Sequence, residues 1–162
     1  MNNYQGYRQN NSGKNNTQEK KIYDWYFIHH GFCNEKGILR EELMTDEAPN
    51  IAKNLGSASR TQLRAFFGEI KGLRNRILEK EEETQQEEFE KIYPLILMIK
   101  SKINYRYDKD SKSKQNLSAL KQFLDAGIER IQKENKLGRG CKAFLDFSLF
   151  FETIVGYFGD MK

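Results

Sequence analysis

The chain has 162 residues, of which 38% are hydrophobic and 31% charged, enough apolar material for a buried core and too much for a disordered chain. Its net charge of +4 is mild, compatible with a polyanionic partner without requiring one. No stretch approaches the roughly 20 apolar residues of a membrane span. Two cysteines, Cys33 and Cys141, are too few for a disulfide framework, so a reducing cytoplasmic setting with no membrane partner is expected.

Residues 1–20 are polar and Asn/Gln-rich and lack the apolar segment of a secretory signal. They read as a flexible tail, leaving 21–162 as a single helical domain. An aromatic run follows, Tyr23, Trp25, Tyr26, Phe27, Ile28 and Phe32, and then turn material around Gly31 and residues 33–37. A short helix is expected over residues 45–55, with Asp46, Glu47 and Pro49 suited to its first turn.

The strongest helical pattern of the first half spans residues 60–79. Ser57 or Ser59 can cap it, and Leu63, Phe66, Phe67, Ile70, Leu73 and Ile77 recur at spacings of three and four. A second long segment, residues 82–105, starts acidic and ends in lysines, as the helix dipole favours; Pro94 either kinks it or divides it in two. Residues 108–115 read as a charged loop. A third helix over 116–134 carries Leu117, Leu120, Leu124, Ile128 and Ile131 on one stripe. The last, 141–158, is apolar around most of its circumference, which marks a central helix or one shared with a neighbouring chain. With no sustained two-residue alternation, the expected class is all-α, a compact bundle of about five helices.

On a helical wheel Arg60, Arg64, Lys71 and Arg74 fall within about 80° of each other, beside the apolar stripe and spread over about 20 Å. Guanidinium forks in such a row suit phosphate oxygens, and the same row also reads as a solvated helix face. No acid shares the sector, which argues against simple i,i+4 pairing. A second cationic set, Lys100, Lys102, Arg106, Lys109, Lys112 and Lys114, is interleaved with Tyr105 and Tyr107, a pattern able to hold a backbone and stack on bases, or only a lysine-rich helix end with a loop. A third, weaker set is Lys136, Arg139 and Lys142, around a glycine-containing break.

His29, His30 and Cys33 lie close together, but a structural zinc needs four ligands, and the nearest fourth candidate is the distant Cys141, so no metal and no other cofactor are expected. There is no phosphate-binding glycine loop, and neither histidine accompanies a nucleophile motif, so no catalytic residue is assigned and an enzyme is not expected.

Four segments in this order, GILREELMTDEAPNIAKNLG, SASRTQLRAFFGEIKGL, YPLILMIKSKINYRY and KAFLDFSLFFETIVGYF, resemble the small helical subunit of type III-A (Csm) CRISPR effector complexes. The family's Ser/Thr-Gln-Leu/Ile-Arg helix start reads here as Thr61, Gln62, Leu63 and Arg64. Its lysine-leucine-alanine-tyrosine stretch reads as Lys102, Ile103, Asn104 and Tyr105, with Lys109 in the place of an arginine. Arg106, Tyr107 and Asp108 replace the family's small residues. The resemblance covers about residues 35–160. It implies a non-catalytic subunit in antiviral defence, stacked in several copies beside larger subunits that hold the guide RNA. Sequence-independent contacts to the guide RNA–target RNA duplex would come from Arg60, Arg64, Lys71, Arg74, Lys102, Arg106, Lys109, Arg139 and Lys142. Two other readings stand beside it. One is a helical scaffold that binds only protein; the other is a helix-turn-helix DNA binder, disfavoured by the length of the cationic helix.

Overall fold

The computed structural model describes residues 21–159; the tail expected over 1–20 lies outside them. The chain is all-helical over these residues, with six α-helices, one π-helical turn and no strand beyond a single bridge between Cys33 and Leu39. The helices are α1 (Tyr26–His30), α2 (Ala48–Asn54), α3 (Arg60–Leu78), α4 (Glu82–Asp108), α5 (Ser111–Lys136) and α6 (Gly140–Gly159), and the π turn (Leu43–Glu47) leads straight into α2.

The short helix expected at 45–55 therefore begins as a π turn, with Pro49 in the first turn of α2, where its missing N–H breaks no helical bond. Arg40 fixes this entry: its guanidinium binds both Glu47 oxygens, at 2.6 and 3.2 Å, and the Gly31 carbonyl, at 2.7 and 3.1 Å. Gly31 has φ 69°, and a Cβ there would stand 2.7 Å from the Arg130 guanidinium, so only glycine lets the chain turn this close to α5.

Ser59, not Ser57, caps α3, accepting the Gln62 N–H at 3.1 Å. α4 runs through Pro94 without dividing; Pro94 sits on the exposed side, where the one lost ladder bond is left to solvent. The loop expected at 108–115 is only two residues long. Asp110 accepts the Ser113 N–H at 2.7 Å and starts α5 there, five residues before the expected position, so Lys112 and Lys114 belong to its first turn.

α6 is the central helix, in contact with α2, α3, α4 and α5. Its Phe147, Phe150 and Phe151 close around Phe123 of α5, with ring centroids 5.2–5.9 Å away, and Phe27 and Trp25 reach the same ring from the N-terminal side. At Gly127 the two helices come so close that a Cβ would lie 2.2 Å from Phe147 Cε2. Offset and edge-on rings of this kind add to the burial of their area.

Candidate nucleic-acid interface

α3 and α4 form an antiparallel hairpin, its register set by Lys102–Glu69 at 2.9 Å and Arg76–Glu88 at 3.1 Å. The inner face of α3 packs Leu63, Phe66, Ile70 and Ile77 into the core. Its outer face carries short side chains, Thr61, Ala65, Gly68, Gly72 and Asn75, all exposed. Arg64 and Lys71 border this strip on one side. On the other edge, Lys102 binds Glu69, and Arg106 lays its guanidinium 4.7 Å over the Phe66 ring.

The cations expected in one row divide by what holds them. Arg64 and Lys71 are exposed and have no acidic partner among the described residues; Lys71 stands 6.0 Å from the Phe67 ring. Arg60, half-buried, points at the Gly159 carbonyl at 3.4 Å, at the far end of α6. Arg74 corrects the expectation of a uniform row. It is 8% exposed and bonded at 2.8 Å to the half-exposed Glu152 of α6, so its guanidinium is held against α6 and is not a free surface cation. On the wheel it is the member nearest the apolar stripe, and the partner that draws it in lies 78 residues away, beyond any i,i+4 test.

In the second set, Lys109 is exposed in the α4–α5 link, Tyr105 is 78% exposed, and Tyr107 lies under Lys121 at 5.7 Å. Arg139 and Lys142 of the third set lie elsewhere. Lys142 stands in the first turn of α6, and the Gly159 carbonyl near Arg60 stands at its last, about 25 Å further along the helix. Arg139 binds Glu134 at 2.8 Å, and Lys142 binds Asp146 at 2.7 Å.

Gly68 and Gly72 have open space where a side chain would begin, so the fold itself does not need glycine there. Gly68→Ala and Gly72→Ala are each expected to stabilise the chain by about 0.5–1 kcal/mol, read as a raised urea midpoint at unchanged slope. A loss of stability in either variant would mean that the strip is covered within the molecule.

The histidine–cysteine cluster is dispersed. Cys33 donates to Asp146 at 2.9 Å, Cys141 turns toward the Gln85 carbonyl at 3.9 Å, and His29 pairs with Asp24. Among the described residues no group of three or more His, Cys, Asp or Glu side chains is placed to hold a metal ion. Burial pushes the Cys33 thiol pKa up, the bond to Asp146 adds to it and Lys142 only partly opposes it, so the sulfur is held as the thiol. Burial likewise raises Cys141. No helix among the described residues is long and apolar enough to cross a membrane.

Residues 39–160 match the family model described as Csm2 Type III-A. No curated protein and no solved structure matches the chain.

Proposed function

The chain belongs to the type III-A Csm2 family, a small subunit of Csm CRISPR effector complexes, and we propose that it lines the groove holding the guide RNA–target RNA duplex through contacts to the sugar-phosphate backbone. One observation carries this reading. Among the described residues Arg64 and Lys71 have no acidic partner, and they stand beside an outer α3 face of short side chains, which a broad nucleic-acid surface can approach closely. A-form duplexes present a wide, shallow minor groove edged by phosphates and 2′-hydroxyls, read by shape and charge and not by sequence. Exposed Lys109 and, on exchanging or extending their present contacts, Arg60, Lys102 and Arg106 would add to the same surface; Arg74, held by Glu152, is left out of this proposal. We assign the subunit no reaction, a cytoplasmic setting with its complex, and further copies of itself as neighbours.

The test is target-RNA binding by a Csm complex reconstituted with Arg64→Ala/Lys71→Ala. Binding is expected to weaken by about tenfold or more, with the logarithmic salt slope shallower by about one unit per removed cation. Arg74→Ala should instead lower thermal stability. A second reading, a scaffold touching only protein, draws on the outward side of α4, where Leu95 and Met98 are 41% and 49% exposed. Unchanged RNA binding by a folded, incorporated double variant would favour it.

A further inference from the structure

Two features that stand far apart in the sequence, the His30–Cys33 segment and the Arg139/Lys142 pair, meet in one cavity of about 370 Å³. Its walls are the 30–37 segment, Arg130 and Glu134 of α5, Arg139, and Lys142, Ala143 and Asp146 of α6. α3 contributes nothing to it, so it is separate from the RNA-facing strip. The volume lies in the range of small-molecule sites.

The lining is rich in donors. Glu134 accepts from Arg130 Nη2 at 2.9 Å and Arg139 Nε at 2.8 Å, and Asp146 accepts from Lys142 Nζ at 2.7 Å and Cys33 Sγ at 2.9 Å. Two guanidinium groups and an ammonium bring far more N–H bonds than these two carboxylates use. Arg130 Nε and Nη1 have no acceptor among the described residues and are closed off behind the wall, so the guanidinium must turn slightly to present them to a ligand in the cavity. With Glu35 also in the lining, three cations meet three carboxylates and the formal charges cancel, so the surplus of donors, and not net charge, decides what fits. An acceptor-rich oxyanion does. The first turn of α6 is part of the wall, and a helix N-terminus favours an anion. His30, in the lining, stacks on the exposed Tyr26 beside the cavity with ring centroids 3.8 Å apart and planes 16° from parallel, and its ring is a flat surface of the kind that receives a base.

We propose that this cavity binds a phosphate monoester of mononucleotide size, with its phosphate against Arg130, Arg139, Lys142 and the α6 N-terminus and its base beside the Tyr26–His30 stack. The phosphate comes either from a free nucleotide or from the 5′ end of an RNA strand.

The proposal is tested by calorimetric titration of the full chain with adenosine monophosphate and with adenosine. Adenosine monophosphate is expected to bind with a Kd of about 1 mM or tighter, and adenosine not measurably. Arg139→Ala/Lys142→Ala, two rim substitutions checked for folding by circular dichroism, should weaken binding at least about tenfold, as expected when charge-assisted bonds to phosphate are removed. Lys142→Gln alone serves if the double variant is unstable. Arg64→Ala/Lys71→Ala should bind as the parent does, so failure here leaves the RNA reading intact. Displacement of the nucleotide by a 5′-phosphorylated triuridylate, and not by its 5′-hydroxyl form, identifies a strand end as the source; no displacement by either identifies a free nucleotide. Absence of binding, equal binding of adenosine, or equal weakening by the α3 substitutions overturns the proposal.

Discussion

Phe123→Ala is expected to destabilise the chain by about 3–5 kcal/mol, the range for emptying a buried aromatic site. Phe123 is 0% exposed and sits where α5 meets α6 and the N-terminal aromatic residues. Its ring lies 5.2 Å from Phe151, 5.5 Å from Phe147 and 5.9 Å from Phe150, all on α6, and 5.9 and 6.1 Å from Phe27 and Trp25. No single neighbour can collapse into the vacancy, because each of these rings is itself held by another. For a chain of this length such a loss corresponds to a fall in Tm of roughly 6–20 °C. Phe123→Leu keeps much of the volume and should cost less than half as much. A loss below about 1 kcal/mol in the Ala variant would show that the ring cluster relaxes freely, contrary to a close-packed interior.

Gly127→Ala, the second substitution, is expected to move stability in the direction opposite to Gly68→Ala, although both add one methyl group to a helix. At an open position the change gains up to about 1 kcal/mol of helix propensity. At Gly127 the new Cβ would stand 2.2 Å from Phe147 Cε2. That ring cannot swing aside, being bounded by Phe123 at 5.5 Å, Phe32 at 5.9 Å and Phe151 at 6.1 Å. The helices must separate or the ring must leave its rotamer, a net loss of about 1–3 kcal/mol. Phe147→Leu removes the obstructing edge. The double variant should therefore be more stable than the sum of the two single losses predicts, with a coupling of about 1 kcal/mol or more in denaturant titrations. Simple additivity would place the strain elsewhere.

The parts of this fold that were legible in the sequence are those where burial repeats along one helix. The spacing predicts α3 over 60–79, and it runs over Arg60–Leu78; it predicts α6 over 141–158, and it runs over Gly140–Gly159. The misread start of α5 has a local cause. Ser111–Gln115 are polar whether they form a loop or a solvated first turn, and Asp110, which settles the matter, resembles any other charged residue of that stretch until its carboxylate meets the Ser113 N–H. The sequence leaves Pro94 open because the outcome depends on which side of the helix faces solvent. For the candidate interface, Arg64 and Lys71 could be found on the wheel, whereas the withdrawal of Arg74 could not, since Glu152 comes from another helix. The cavity was legible only as fragments. Its histidine–cysteine and arginine–lysine pairs were each visible, but Cys33 and Asp146 are 113 residues apart, and Arg130 carries no local mark separating it from an ordinary surface cation.

The central place of α6 also has a consequence for biosynthesis. Every helix that α6 covers is translated before it, so in a ribosome-bound chain the faces of α2, α3, α4 and α5 that pack on α6 lack that cover until Gly140–Gly159 has cleared the exit tunnel. Phe123, 0% exposed in the folded chain, then lacks its Phe147, Phe150 and Phe151 neighbours. At about 5–20 residues per second the interval lasts on the order of seconds, long enough for chaperone capture or for pairing with a neighbouring copy on the same messenger. The native core is thus completed after translation of the bundle and not during it.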